Sequence, residues 1–476
     1  MKGLIPLSDA QPILSPVLEN EPTAVEMRRT IFNLLWPATV ESLLQMGIGL
    51  VNTAMVGHLS AIAIGAVGLS NRAIQVAWAL FQAISTGTTV HVAQAIGAND
   101  SRRARTIAMQ AILFGTLAVL VLAITFAVFA QNVLQIFRPE STVLSSGTKY
   151  MRIIVWGMPA VAIMTAVGAA LRGSGDTRTP LIVAIFVNII NVIGNWSLIY
   201  GNLGMPALGI TGSAIATVIA QWIGAIVAVT AITRPTAKLS LSFRSKWTID
   251  KTELSKILNM GLPSAAESLF WQAAAIILTL YITGFGTQAL AAHQLGLNAE
   301  SLSYMPTAGF SIAATTLVGQ AVGAKNTHLS RRYTSELSRW ALIITLLTAS
   351  LLFFFPKQIL TLLTNDMEVI ALAAIYLRLM ATAQIPQQVA GVLNGAIRGS
   401  GDTRTPMVIA AIGLWGVRLP LAYILAFPLK MGITGVWLGM TLDLFVRFIL
   451  TMFRYKRLPW VESTSLFDFL KSPSKT

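Results

Sequence analysis

The chain has 476 residues, of which 54% are hydrophobic and 11% charged, and its net charge is +15. A mean hydropathy of +0.68 is more apolar surface than a water-soluble domain can hide, so the chain belongs in a membrane. The absence of cysteine excludes disulfides, thiolate nucleophiles and sulfur metal sites, and four scattered histidines make no metal-ligand cluster.

Residues 1–27 are expected to form a retained cytoplasmic tail, because they hold acidic and proline residues and no apolar core followed by a cleavage site. Beyond it, a helix needs about 20 mostly apolar residues to cross a hydrocarbon core about 30 Å thick. Twelve such stretches are predicted, near 31–56, 62–96, 104–130, 147–171, 179–201, 207–233, 257–283, 287–322, 332–355, 369–397, 405–427 and 431–453. A β-barrel would instead show alternating segments of about ten residues.

The cations fall on one side of this pattern. Arg28 and Arg29 precede the first span, Arg102, Arg103 and Arg105 follow the second, Arg172 and Arg178 follow the fourth, and five lysines and arginines from Lys238 to Lys256 follow the sixth. Arg331 and Arg332, then Arg398 and Arg404, then Arg454, Lys456 and Arg457 continue the series. Positively charged short loops stay in the cytoplasm, so both termini are expected there and the basic balance is a topology signal. Nucleic acid is not an expected partner, since these cations punctuate apolar runs. The polar stretch 234–256 mixes cations with Leu, Phe and Trp and reads as a linker lying on the membrane surface. It separates an amino-terminal lobe, 28–233, from a carboxy-terminal lobe, 257–455, with a cytoplasmic tail at 456–476.

The nonapeptide RGSGDTRTP occurs at 172–180 and again at 398–406, an offset of 226. The same offset carries Pro37, Glu41, Ser42 and Leu43 onto Pro263, Glu267, Ser268 and Leu269, and Gln94, Gly97 and Ala98 onto Gln320, Gly323 and Ala324. GITG at 209–212 returns at 432–435 with an offset of 223. The chain is therefore two homologous six-span lobes. Six is even, so each lobe starts and ends on one side, and the repeats are parallel, about an axis along the membrane normal. The nonapeptide reads as a tight turn in which glycines accept positive φ and Asp176 or Thr179, and Asp402 or Thr405, cap the next helix. The alternative is that the two turns meet when the cytoplasmic side closes.

NTAMVGHLSAIAIGAVGLS at 52–70, LRGSGDTRTP and VGQAVGA, in this order along twelve duplicated spans, resemble the multidrug and toxic compound extrusion (MATE) family. The resemblance runs from about residue 28 to 455. It implies an all-α integral membrane protein whose two six-helix lobes form a V around a central cavity, and export of amphipathic, often cationic compounds driven by inward H⁺ or Na⁺. No cofactor beyond that coupling ion is expected, and the protein is expected to act as a monomer in the plasma membrane.

Charged groups in mid-membrane are costly and usually have a function or a partner. Glu41, about ten residues and roughly 15 Å into the first span, is the leading cation-coupling acid, and the resemblance implies such an acid there. Asn191 and Asn195 occupy a family pattern of asparagine, three residues and aspartate, but with an amide in place of the acid; four apart, they share a helix face and could bond Glu41 or an ion. Glu267, the counterpart of Glu41, and Glu300, which has no counterpart, are a rival cation site in the second lobe. Asp443 is placed to pair with Arg447 or Arg418. For the substrate cavity the candidates are Met55, Trp78, Phe81, Trp271, Tyr304, Met305, Gln384 and Trp415, since aromatic faces attract cations and methionine repacks.

The leading reading is an ion-coupled multidrug antiporter working by alternating access. An exporter of an organic anion is the alternative, using arginines such as Arg72 and Arg418, as is a lipid-linked oligosaccharide flippase, which would need a cationic cavity. An enzyme is not expected, because no nucleophile, metal set or paired catalytic groups appear.

Overall fold

The computed structural model describes residues 22–242 and 250–459. The tail before residue 22, the linker core 243–249 and the tail from 460 lie outside the described residues, and with them most of the surface placement expected for the linker. Twelve long helical rods follow one another: α1 Ala24–Gly57, α2 Ala61–Gly97, α3 Ser101–Val128, α4 Ser141–Gly173, α5 Arg178–Tyr200, α6 Gly209–Thr233, α7 Lys251–Thr283, α8 Thr287–Gly323, α9 Thr327–Phe354, α10 Met367–Gly399, α11 Arg404–Ala426 and α12 Gly432–Lys456. Short helices at Ala130–Gln135 and Pro356–Thr361 follow α3 and α9, again 226 apart.

Ten of the rods are long and apolar enough to cross a membrane. The two that are not among them, α2 and α8, are the longest, with 37 residues each. They stand between the lobes, where neighbouring helices replace lipid, so they bury polar groups: Ser70, Thr88 and His91 on α2, and His293, Glu300 and Ser303 on α8. Outer rods instead present Val121 and Val128 of α3 and Ile343 and Leu347 of α9 to their surroundings.

The connections are repeated as closely as the rods. Asp100 caps α3 through the Arg103 N–H, and Asn326 caps α9 through the Leu329 N–H, both at 2.9 Å. In the nonapeptides, Gly175 and Gly401 take φ of +84° and +100°, which a side chain would resist. Asp176 and Asp402 then accept the N–H of Thr179 and Thr405 at 3.0 and 2.9 Å, and each threonine hydroxyl at 2.6 Å. The turn expected from sequence is thus present in both copies.

Within the first lobe α2 packs on α3 and α4, and α4 and α5 on α6; within the second, α8 and α9 pack on α10, and α10 and α11 on α12. The lobes meet through α2 against α7 and α8, and α1 against α8. Ile31, Leu34 and Leu35 of α1 share a core with Phe310 and Ala313 of α8 and Tyr333 of α9. Ile84 of α2 does the same with Ile257 of α7. All these residues lie in the half of each rod nearer the chain termini, so the lobes are joined at the terminal end and form a V.

Candidate functional site

Glu41 sits midway along α1 and Arg172 at the last turn of α4. The guanidinium folds back over Gly168 and donates from Nη1 to Glu41 at 3.2 Å, with Ser85 Oγ at 3.4 Å from Nη2. In the second lobe Arg398 Nη2 meets Glu267 at 2.6 Å. Both partners lie 226 residues apart, as do both acids, so the ion pair itself is duplicated. That signal was available in the sequence: an acid and a cation kept at one common offset.

Glu300 is different. It is buried on α8 and accepts hydrogen bonds from the Tyr376 hydroxyl and from Gln384 Nε2 at 2.9 Å, both on α10. Ser303, one turn on, donates to Gln384 Oε1 at 3.2 Å, and Gln388 Nε2 donates to the Ser303 carbonyl at 2.8 Å. Tyr376 is held edge-on by Trp437 and His293, with ring centroids 5.4 and 5.5 Å away. Among the described residues every donor to Glu300 is neutral. Glu267 and Glu300 therefore have separate partners, Arg398 for the one and Tyr376 with Gln384 for the other. Nothing in the sequence marked Tyr376, which reaches Glu300 across two helices.

Asp443, fully buried on α12, accepts Arg418 at 2.8 Å and Arg447 at 2.9 Å. Both guanidiniums also lie over the Trp271 ring, 4.9 and 4.6 Å from its centroid. Arg418 ends a π-helical stretch, Ile412–Arg418, inside α11; the extra residue per turn rotates the rest of the rod. A side chain at Gly413 would collide with Asp443 and Arg447, so the close approach of α11 to α12 requires glycine there. The Asp443 pairing expected from sequence is found with both arginines at once.

In the first lobe, Asn195 Nδ2 donates to Asn52 Oδ1 at 2.9 Å and to Asn191 Oδ1 at 3.1 Å, and Asn191 Nδ2 donates to Thr217 Oγ1 at 3.1 Å. The two amides share one helix face, as predicted, but their partners are Asn52 and Thr217, and not Glu41. This chain of amides is neutral. Asn195 Oδ1 is buried and has no hydrogen-bond partner.

Beside the amides lies a cavity of about 230 Å³, lined among others by Asn52, Asn71, Trp78, Phe81, Tyr150 and Gln221. Trp78 meets Phe81 edge-on at 5.9 Å. The eight predicted substrate-cavity residues are not brought into one space. Trp78 and Phe81 line this cavity, while Met55 is half-buried nearby and accepts the Tyr200 hydroxyl on its carbonyl at 2.7 Å. Trp271 is covered by guanidiniums and Gln384 is bound to Glu300. Tyr304 and Met305 are half-buried, one turn from Glu300, and Trp415 is exposed in the π-helical stretch.

The sequence profile of the family described as MatE matches residues 37–197 and 263–424, one copy in each lobe. A Thermotoga maritima protein named "Probable multidrug resistance protein NorM" is 32% identical over 442 residues, covering 91% of this chain and 93% of that protein. Among solved structures, a MATE protein in the bent conformation superposes with a TM-score of 0.85 at 19% identity, over 92% of this chain and 96% of that one. The Vibrio cholerae MATE transporter VcmN in the bent form does so with 0.84 at 22% identity, over 91% and 97%. At these identities the structural likeness concerns the fold.

Proposed function

We propose, from the premise that this chain belongs to the MatE family of multidrug and toxic compound extrusion transporters, that it is a secondary active exporter of amphipathic cationic compounds, driven by inward H⁺ or Na⁺. Glu300 carries this reading. An acid that exchanges an ion must be free to receive it, and Glu41 and Glu267 are each already engaged by a guanidinium. Glu300 is bound by a hydroxyl and an amide, which serve either state, since a protonated carboxyl still accepts hydrogen bonds. The amide chain of the first lobe has no group that titrates, so coupling falls to the second lobe.

The cavity in the first lobe suits a flat organic ligand: Trp78 and Phe81 offer aromatic faces, and Asn52, Asn71 and Gln221 supply amides to its lining. With cytoplasmic termini, the V opens away from the cytoplasm and alternating access is the rocking of one lobe on the other. Of the two arginines the anion reading would use, Arg418 is held by Asp443 and Trp271 and Arg72 is exposed on α2, so they form no cationic cluster.

The test is ethidium transport in proteoliposomes under separately imposed pH and Na⁺ gradients. Glu300→Gln should lose at least about tenfold in gradient-driven uptake, a loss expected when an interaction specific to one state of the cycle is removed. Normal gradient-driven transport by Glu300→Gln would reject the assignment, and transport by the unmodified chain indifferent to both gradients would reject ion coupling.

A further inference from the structure

The two nonapeptide turns lie against the seam between the lobes, and three hydrogen bonds cross it there. Gln94 Nε2 of α2 donates to the Gly399 carbonyl at 3.0 Å, and Gln320 Nε2 of α8, its repeat partner, donates to the Gly173 carbonyl at 2.9 Å. Thr316 Oγ1 adds a bond to the Arg172 carbonyl at 3.1 Å; Val90 stands at the matching position of the first lobe, so that bond has no repeat. The accepting carbonyls are among the last of α4 and α10 and carry the negative end of each dipole; that of Arg172 also accepts the Gly175 N–H at 2.9 Å. The helices touch at the same place: a Cβ on Gly97 would collide with the Gln320 carbonyl, and one on Gly323 with the Gln94 carbonyl.

Each accepting turn is oriented from behind by an ion pair of its own lobe. Arg172 offers its carbonyl to Thr316 while its guanidinium is tied to Glu41; Arg398, next to Gly399, is tied to Glu267. Acid, arginine, accepting carbonyl and opposing glutamine thus recur as one unit in both lobes. The repeat has kept this four-part arrangement in both lobes, whereas the amide chain and the Glu300 network each occur in a single lobe.

We infer that Glu41 and Glu267 are positioning residues of a two-fold latch that holds the terminal end shut, each orienting its arginine-bearing turn to receive Gln94 or Gln320 of the opposite lobe. This separates two tasks. Glu300 loads the ion, while the matched acids keep the hinge of the V closed until the lobes rock apart. The inference rests on seam geometry and not on the coupling role of Glu300, so either can fail alone.

The chain contains no cysteine, so Arg102→Cys and His328→Cys, exposed repeat-related positions at the terminal ends of α3 and α9, can carry a pair of spin labels without background. Distances are measured on the full chain in lipid nanodiscs, without substrate or gradient, so that the reading is independent of transport. The unmodified chain should show a dominant short distance. Gln94→Ala with Gln320→Ala, and separately Glu41→Gln with Glu267→Gln, should each lower the ratio of short to long distances about tenfold, as loss of one or two net hydrogen bonds predicts. All four changes together should lower it no further than the stronger pair, because they open one latch. Exchanging the charges by Glu41→Arg with Arg172→Glu should restore the ratio that Glu41→Arg alone loses. A ratio unmoved by Glu41→Gln with Glu267→Gln, or an exchange that fails to restore it, overturns the latch.

Discussion

At the scale of single residues, burial tells the acids apart less well than their partners do. Glu41, Glu267, Glu300 and Asp443 all sit within apolar rods, yet two face one arginine, one faces neutral donors and one faces two arginines. Asp443 is the case where a stability effect is expected. Replacing it with asparagine leaves two buried guanidiniums without a counter-charge, which should cost about 3–5 kcal/mol. The check is thermal unfolding of the purified protein: Asp443→Asn should unfold well below the unmodified chain, and adding Arg418→Met and Arg447→Met should recover most of the loss. An Asp443→Asn variant as stable as the parent would mean that this cluster is not desolvated. Sequence reading found the Asp443 pairs because Arg447 is four residues away on the same helix. The Arg172 pair is legible only as a common offset of acid and arginine, because nothing local reveals which helix a long side chain will reach.

At the scale of elements, the nonapeptide turns combine a local motif with a tertiary role. Burial works against the charge on Asp402, but the Thr405 hydroxyl, the Thr405 N–H and Arg454, at 2.6 Å, outweigh it and hold the carboxyl below the ordinary aspartate range. A carboxylate with a depressed folded value stabilises its turn above its ordinary value and loses that contribution as pH falls through the depressed one. Hydrogen exchange at the Thr405 N–H should therefore stay slow down through the usual aspartate range and speed up only below it. In Arg454→Ala the loss should begin at higher pH, because the cation that helps hold the proton off is gone; an unchanged onset would show that Thr405 alone sets it. The π-helical stretch of α11 ends two residues before Pro420. Proline has no N–H to donate to the Gly416 carbonyl, and the rotation there brings Arg418 to Asp443.

At the scale of the whole molecule, glycines on both sides of the seam, Gly87, Gly97, Gly261, Gly309 and Gly323 among them, let the lobes close on each other. Gly97 and Gly323 let α2 and α8 approach until side-chain amides meet carbonyls of the opposite lobe, and a larger residue would wedge the apex apart. Gly323→Val should leave the terminal end open. A cysteine placed at Thr316 of this cysteine-free chain should then react with a membrane-impermeant thiol reagent added on the terminal side at least about tenfold faster than in the parent, the change expected when a minor open state becomes the major one. Equal rates in the two would mean that the apex closes without this contact.

By itself the sequence determined the membrane environment, the all-helical two-fold plan and the family, because hydropathy and an internal repeat are properties of residue order and need no partner from elsewhere in the chain. It also determined the turns, whose Asp–Thr caps and positive-φ glycines are local. The partners of the acids were decided only in the tertiary structure. Whether a buried carboxylate meets a guanidinium, a tyrosine or an amide depends on which helices lie side by side, and a twelve-helix repeat leaves many such pairings open. Hence Glu41, the acid of the first span, stands beside Arg172, while Glu300, an acid without a repeat counterpart, meets a tyrosine and an amide.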